Sequence, residues 1–281
     1  MSELGWSVLR IAVASYVGLV LWMYFRQAHY IYFPSREVRL TPTTFRLPYE
    51  DIRVRTTDGE TIHGWFMPHP QARGTVLFCH GNAGNIADRV DAIWRFHDFG
   101  LNVCVFDYRG FGLSSGAPTE EGTYRDAEAV WNWLTVTRSI PANRIVVFGE
   151  SLGGAVAAWV AERQQPAALI LESAFTSMPD AAARVYPFLP VRLLCRFRYD
   201  TLSRLPRIAC PVLVAHSRDD DIIPFAQGER LFRAAREPKV FLAMQGSHNG
   251  GRDRTGKAYD DGVEGFVTRV LGPRAAEATA R

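Results

Sequence analysis

The 281-residue sequence predicts an α/β domain with a mostly parallel central sheet, an antiparallel N-terminal hairpin and helices on both faces. Three observations predict this fold. Short apolar runs alternate with helix-length amphipathic segments, a hairpin pattern precedes them, and the composition, with 47% hydrophobic and 22% charged residues, is that of a globular protein. A further apolar segment at the N-terminus predicts a transmembrane helix.

The hairpin is predicted over residues 52–66, because apolar and polar residues alternate on both sides of Asp58-Gly59. Runs that are apolar on both faces are typical of strands in the middle of a parallel sheet. The predicted strands are residues 75–79, 102–106, 144–148, 168–171, 211–215 and 239–243. The helices between them are predicted at residues 87–99, 120–137, 152–164 and 225–236.

The N-terminal apolar segment covers residues 6–25 and has Arg10 as its only charge. Twenty residues form about 30 Å of helix, which is enough to cross the hydrocarbon core of a bilayer. A cleaved signal peptide and a buried first helix are the alternatives. No small-residue cleavage site follows the apolar run, and neither face of the segment is polar. We therefore predict a single-pass membrane anchor over residues 1–30.

The domain that follows is predicted to cover residues 31–273, with a flexible tail at residues 274–281. Arg26, Arg36 and Arg39 follow the uncharged run at residues 11–25 and only Arg10 precedes it, which favours a cytoplasmic domain. The formal charge is only +3 and the arginines are scattered, so a nucleic-acid partner is not expected. The cysteine, histidine and acidic residues lack metal-ligand spacing, and no metal is predicted.

A nucleophile is predicted at Ser151, within IVVFGESLGG at residues 145–154. This segment is a strand that runs into G-x-S-x-G and then a helix, and the tight turn needs Gly149 and Gly153 because side chains there would clash. The amino end of the helix offers free N–H groups where an oxyanion would form. A glycine-rich turn with an incidental serine is the alternative, and the strand and helix on either side argue against it.

A serine hydroxyl needs a base within hydrogen-bond reach, and His248 is the best candidate. It follows the last apolar run, so it lies at the carboxyl edge of the predicted sheet with Ser151. His80 and His216 open loops at the same edge and are expected to form loop hydrogen bonds. The histidines expected on the surface are His63, His69 and His97.

The third member of a triad orients the imidazole and stabilises its charged form. The loop HSRDDDIIPF offers Asp219, Asp220 and Asp221, and spacing alone does not choose among them. Glu172, which ends the preceding strand, is a second possible position for the acid.

Six motifs in order carry a resemblance over residues 30–271. They are HGNAGN (80–85), FDYRGFGLSSG (106–116), GESLGG (149–154), ESAF (172–175), HSRDDDIIP (216–224) and GSHN (246–249). Together they resemble the α/β-hydrolase superfamily, and within it the membrane-anchored α/β-hydrolase domain-containing proteins and serine aminopeptidase-like hydrolases. HGNAGN lacks the Gly-Lys-Ser/Thr ending of a phosphate loop and the G-x-G-x-x-G of a dinucleotide site, so no cofactor is predicted.

This resemblance implies the α/β-hydrolase fold and the roles of several residues. The family position of the acid is Asp220. The resemblance also implies an oxyanion hole made by the backbone N–H groups of Asn82 and Leu152. The implied pocket residues are His80, Gly81, Asn85 and Tyr108. The chain departs from the usual family pattern at Ser217, where glycine is usual, and at Gly250, where aspartate is common.

Residues 175–210 interrupt the strand–helix alternation and mix apolar residues with arginines. They follow a strand whose carboxyl end faces the nucleophile, so we expect a short helical lid that either lines an acyl-binding groove and meets anionic lipid or simply exposes its arginines to solvent. The predicted function is a serine hydrolase that cleaves an ester or thioester of a small-molecule or lipid-like acyl substrate. An amide or peptide hydrolase and a catalytically silent, membrane-tethered binding module are the alternatives.

Overall fold

An eight-stranded sheet forms the centre of the molecule, for which the computed structural model describes residues 2–274. The strands are β1 (Glu50–Arg55), β2 (Thr61–Met67), β3 (Thr75–Cys79), β4 (Asn102–Phe106), β5 (Ile145–Glu150), β6 (Ala168–Glu172), β7 (Val212–Ser217) and β8 (Lys239–Met244). Their order across the sheet is β1-β2-β4-β3-β5-β6-β7-β8. Only the β1–β2 and β2–β4 pairs are antiparallel within it. The predicted sheet, with its antiparallel N-terminal hairpin, is confirmed.

The predicted hairpin turn lies between β1 and β2. Val54 pairs with Ile62, and the backbone N–H of Thr56 donates to the carbonyl of Glu60 at 2.9 Å. Gly59 has a φ of 94°, a left-handed conformation that residues with a side chain rarely adopt. The central strands β3 to β7 are almost entirely buried, as their continuous apolar sequences require.

Helices cover both faces of the sheet. The α-helices within residues 2–274 are α1 (Glu3–Phe25), α2 (Gln27–Ile31), α3 (Val90–Asp98), α4 (Glu120–Asn132), α5 (Leu152–Gln164), α6 (Met178–Val185), α7 (Val191–Leu194), α8 (Thr201–Arg204), α9 (Phe225–Ala234), α10 (Gly251–Thr255) and α11 (Lys257–Leu271). The apolar core on one face contains side chains of α3 and α11, and the core on the other face contains side chains of α4, α5 and α9. The result is the three-layer arrangement that the sequence predicts.

The structure differs from the sequence predictions at helices α3, α4 and α11. The segment predicted to begin at residue 87 starts with a 3₁₀ turn, Ile86–Arg89, before α3. The segment predicted to continue to residue 137 is α-helical to Asn132 and ends in a π-helical turn, Trp133–Thr137. Helix α11 is not among the predicted helices, because its glycines lower helix propensity. In the structure, Gly262 allows α11 to approach Leu242 of β8 closely.

The N-terminal helix α1 stands apart from these layers. Within residues 2–274 it is the one helix long and apolar enough to cross a membrane, with a mean hydropathy of 1.8, and none of its residues is buried. After α2 the chain joins the domain through Tyr32, whose hydroxyl forms a 2.7 Å hydrogen bond with that of Tyr199. Of the predicted tail at residues 274–281, residues 275–281 lie outside the described part of the chain.

Candidate active site

The strand–helix turn at Ser151 has the geometry of a nucleophile elbow. Strand β5 ends at Glu150, α5 begins at Leu152, and Ser151 between them has φ 53° and ψ −117°. A β-carbon on Gly149 would overlap the carbonyl of Gly153, and one on Gly153 would overlap the carbonyl of Cys79. The two glycines therefore let strand and helix pack tightly enough to force the strained turn that projects the serine hydroxyl.

Two hydrogen bonds connect three of the predicted site residues. His248 Nε2 lies 3.0 Å from Ser151 Oγ, and His248 Nδ1 lies 2.8 Å from Asp220 Oδ2. The Asp220 side chain is fully buried and that of His248 is 7% exposed. The other carboxylate oxygen of Asp220 accepts the backbone N–H groups of Ile222 and Ile223 at 3.0 and 2.7 Å. Hydroxyl, imidazole and carboxylate thus form one continuous hydrogen-bonded row.

The three consecutive aspartates, which spacing alone does not distinguish, have different partners. Of the three, only Asp220 forms a hydrogen bond with the imidazole of His248. Asp219 accepts the backbone N–H of Gly246 at 3.2 Å, and Asp221 accepts that of His248 at 2.8 Å. The two neighbours of Asp220 therefore hold the backbone of the histidine loop while Asp220 holds the ring.

Ser217, one of the two departures from the usual family pattern, also holds this loop in place. Its side chain is buried and its hydroxyl donates to the carbonyl of Gly246. His216 forms the loop hydrogen bond expected of it, with Nε2 2.9 Å from the carbonyl oxygen of Ile223. Burial lowers the pKa of His216, which keeps the ring neutral beside the candidate triad.

Glu172, the second candidate acid, belongs to a separate charged cluster beneath the elbow. It pairs with Arg252, accepts a hydrogen bond from the hydroxyl of Tyr259, and has no contact with His248. Arg252 also lies 3.3 Å from Glu150, the residue before Ser151. Burial raises the pKa of Glu150, but the charges of Arg89 and Arg252 outweigh burial, and the pKa lies below its ordinary value.

A cavity of about 450 Å³ opens above Ser151 and His248. Its floor includes Gly81, Asn82 and Leu152, so the residues whose backbone N–H groups are expected to form an oxyanion hole both lie beside the serine. The N–H of Leu152 is in the first turn of α5 and has no partner within the helix. Most of the remaining wall comes from the predicted lid, residues 175–210, and from α1 and α2.

Three of the predicted pocket residues do not line this cavity. Tyr108 and His80 are fully buried, and the tyrosine hydroxyl donates to the backbone carbonyl of His80 at 3.0 Å. Asn85 is also buried, where its side chain caps the 3₁₀ turn at Ile86–Arg89. These residues lie behind the floor and hold the loop after β3, because their polar atoms bond to that loop's backbone or to neighbouring segments. Gly81 alone of the four lines the cavity.

The surface position predicted for His63 is wrong. Its side chain is 1% exposed, lies 3.0 Å from Asp51, and faces Asp107. Burial lowers the pKa of His63, but the hydrogen bonds with Asp107 and Asp51 outweigh burial and raise it. The alternating pattern around His63 indicates a strand with one buried face. The sequence does not identify Asp51 and Asp107 as partners of His63, because those contacts form only in the folded chain.

Known proteins are similar to this chain in sequence and fold. The family model described as serine aminopeptidase, S33, matches residues 70–199. The α/β hydrolase domain-containing protein WAV2 of Arabidopsis thaliana is 36% identical over 226 residues, which are 73% of each chain. The chain belongs to the α/β-hydrolase family. An uncharacterized protein of Mycobacterium tuberculosis is 38% identical over 260 residues, 91% of this α/β hydrolase and 92% of the relative.

The fold of this α/β hydrolase is also found among solved structures. The Pyrococcus furiosus esterase Pf2001 superposes with a TM-score of 0.73, covering 85% of this chain and 100% of the esterase, at 21% identity. Within residues 2–274 no group of three or more histidine, cysteine or acidic side chains could hold a metal ion. The four cysteines are buried as free thiols.

Proposed function

We propose that this α/β hydrolase is a serine hydrolase that cleaves an ester or thioester of a hydrophobic acyl substrate through Ser151, His248 and Asp220. The observation that carries the proposal is the hydrogen-bonded row from Ser151 Oγ to His248 Nε2 and from His248 Nδ1 to Asp220. A base within 3.0 Å of the hydroxyl activates an otherwise weak nucleophile.

Acylation begins when His248 Nε2 takes the proton of Ser151 as Oγ bonds to the substrate carbonyl carbon. The negative charge on the carbonyl oxygen is stabilised by the backbone N–H groups of Asn82 and Leu152, together with the positive end of α5. The bond to the leaving oxygen or sulfur then breaks, and His248 returns the proton to it. Asp220 keeps the imidazole in one tautomer and stabilises its charged form.

Deacylation repeats the same steps with water. His248 takes a proton from water, the hydroxide oxygen attacks the acyl carbon, and the bond to Ser151 Oγ breaks as the serine regains its proton. The products are a carboxylic acid and the free enzyme. The reaction uses only side chains and backbone N–H groups of this chain, and requires no cofactor.

The lining of the cavity supports a hydrophobic acyl group. Most of the wall above the triad is apolar, and the lid contributes Phe175, Met178, Val185, Leu189 and Leu194 to it. An acyl chain buried there leaves water and gains contacts with these side chains, which contributes roughly 0.8 kcal/mol per methylene. The carbonyl end of such a chain would meet Ser151 on the polar floor.

An amide or peptide hydrolase is the second candidate, because the matching family model describes serine aminopeptidases. The same triad would serve, with an amine as the leaving group. A silent binding module is disfavoured, since a binding site alone does not require the aligned hydroxyl, imidazole and carboxylate.

Fluorophosphonate labelling tests the proposal, because the probe reacts covalently with an activated serine. We expect the wild type and Ser203→Ala, which changes an exposed serine of the lid, to be labelled and Ser151→Ala to be unlabelled. An unlabelled wild type, or undiminished labelling of Ser151→Ala, would contradict the proposal. Turnover of p-nitrophenyl esters, thioesters and aminoacyl anilides then separates the candidates: a preference for anilides would favour the peptidase.

The proposed organisation places a membrane anchor at residues 1–30 and the hydrolase domain at residues 31–273, with the domain on the cytoplasmic side. The support for the anchor is α1, which is apolar and has no buried residue. Retention in membranes after carbonate extraction, with N-terminal sequencing of the mature chain, tests the anchor. A mature chain that begins after Phe25 would mean that α1 is a cleaved signal sequence.

A further inference from the structure

The cavity above the triad is bounded on one side by the N-terminal helices. Val20, Met23 and Tyr24 of α1 line it, as do Gln27 and Tyr30 of α2. The α1 positions and Gln27 recur every three or four residues, so one face of the helical segment is turned toward the active site. The segment proposed as a membrane anchor is thus also a wall of the substrate cavity.

Hydrogen bonds fasten this helical wall to the lid at two levels. At the first level, just after the carboxyl end of α1, Gln27 Nε2 donates to the carbonyl of Leu194 at 2.8 Å, and Gln27 Oε1 accepts the N–H of Arg196 at 2.8 Å. At the second level, nearer the amino end of α1, the hydroxyl of Tyr16 donates to the carbonyl of Phe188 at 2.9 Å. Tyr16 and Gln27 are eleven residues apart, about 16 Å along a helix. Val20, Met23 and Tyr24 face the cavity between these two fastenings.

The hydrogen bond between Tyr16 and Phe188 shows how far the lid reaches along α1. Tyr16 lies nine residues before Phe25, the last residue of α1, which is about 14 Å along the helix axis. The hydrocarbon core of a bilayer is about 30 Å thick. If α1 spans that core, the lid beside Tyr16 lies within the leaflet nearer the hydrolase domain.

The surface of the lid suits that depth. Phe188 and Leu193 are 59% and 85% exposed and point away from the domain core. Exposed arginines accompany them in the lid: Arg184, Arg192, Arg196 and Arg198. Arg196 lies over the ring of Tyr24, near the end of α1, at 5.7 Å. Apolar tips with arginines beside them are the pattern of a segment that enters a leaflet and meets lipid phosphates at its surface.

We propose that the substrate is an ester-linked lipid of the bilayer. Its acyl chain enters the cavity sideways, between α1 and the lid, without leaving the membrane. This inference rests on the proposed function, because it supplies the substrate class for the same triad. The ester carbonyl would reach Ser151 at the polar floor, while the chain stays between the apolar faces of α1 and the lid.

Paired substrates test the entry route in the full-length protein reconstituted into phosphatidylcholine vesicles. One substrate is the water-soluble p-nitrophenyl butyrate, and the other is a long-chain fluorogenic ester dissolved in the bilayer. The variant is Phe188→Asp with Leu193→Asp, which places charge on lid residues that do not line the cavity. The control is Val136→Asp, which changes a residue that is 76% exposed, belongs to the π-helical turn after α4 and does not line the cavity.

We expect the double variant to hydrolyse the bilayer ester about tenfold more slowly than wild type, because aspartate is strongly disfavoured in hydrocarbon. Turnover of the soluble ester should stay within about twofold of wild type, and the control should change neither rate. Unchanged hydrolysis of the bilayer ester by the double variant would overturn the proposal. Absence of soluble-ester turnover in wild type would instead remove the proposed function.

Cross-linking detects where the lipid enters. It requires neither catalysis nor correct folding of the double variant. Ser151→Ala in vesicles that contain a phospholipid with a diazirine near the acyl terminus should cross-link through Val20, Met23 and the lid residues at 182–194. Cross-links confined to residues of α1 that do not line the cavity, such as Leu9 and Val13, would overturn lateral entry.

Discussion

The floor and the roof of the active-site cavity are built in opposite ways. The floor is polar and buried, and a continuous hydrogen-bonded row runs through it from Asp220 to Ser151. The roof is apolar and partly exposed, and consists of helices of four to eight residues together with one face of α1. A rigid polar floor suits chemistry, whereas a thin apolar roof suits the admission of a substrate.

The largest effect is expected on the floor, from the three aspartates of one loop. Asp220→Asn should lower kcat by about 10⁴-fold, because the amide favours the wrong imidazole tautomer. Asp219→Asn and Asp221→Asn keep an oxygen that can accept the same backbone N–H, and we expect them to lose less than about tenfold. Steady-state kinetics of the three variants with one ester provide the comparison. Equal losses in all three would mean that the loop, and not one carboxylate, supports the histidine.

A second floor variant, Arg252→Met, leaves Glu150 and Glu172 without the cation between them. Removal of one partner from a buried charge cluster should lower the free energy of unfolding by about 3 kcal/mol. Denaturant unfolding measures the change. Arg254→Met, two residues away and exposed, is the control and should change it by less than about 0.5 kcal/mol. Equal stability of both variants would show that the cluster is not structural.

The smallest effect is expected in the roof, at Asp180 in the first turn of α6. Burial raises the pKa of Asp180, but the hydrogen bond from Thr176 and the charges of Arg230 and Arg192 outweigh burial and hold the pKa below its ordinary value. The ionised carboxylate therefore stabilises the lid above the unfolded-state pKa of about 3.9, and this contribution is lost as pH falls through the lowered pKa.

Hydrogen exchange of the lid, corrected for intrinsic rates, measures this pH dependence. Between pH 6 and pH 3 the wild-type lid should lose protection equivalent to about 0.5 kcal/mol more than the lid of Asp180→Asn, which has no charge to lose. An identical pH dependence in the two proteins would mean that Asp180 does not hold the roof.

Sequence patterns predict the floor better than the roof. The apolar runs determine which strands are central, and parallel strands bring Ser151 and His248 to one edge. The choice among Asp219, Asp220 and Asp221 needs the direction of each side chain, which spacing does not contain. His80, Asn85 and Tyr108 follow the right strands, but burial behind the floor depends on how the loops pack. The contact of Tyr16 with Phe188 joins segments 172 residues apart, and no local pattern predicts it.

The proposed function requires Ser151 to form a covalent acyl intermediate with His248 as its base. Acid quench of wild type during turnover of a slowly hydrolysed ester, followed by mass spectrometry of the proteolysed chain, tests it directly. We expect the mass of the acyl group on the peptide that contains Ser151, and no adduct above background in His248→Ala. An acyl group on another residue, or an equal adduct without the histidine, would contradict it.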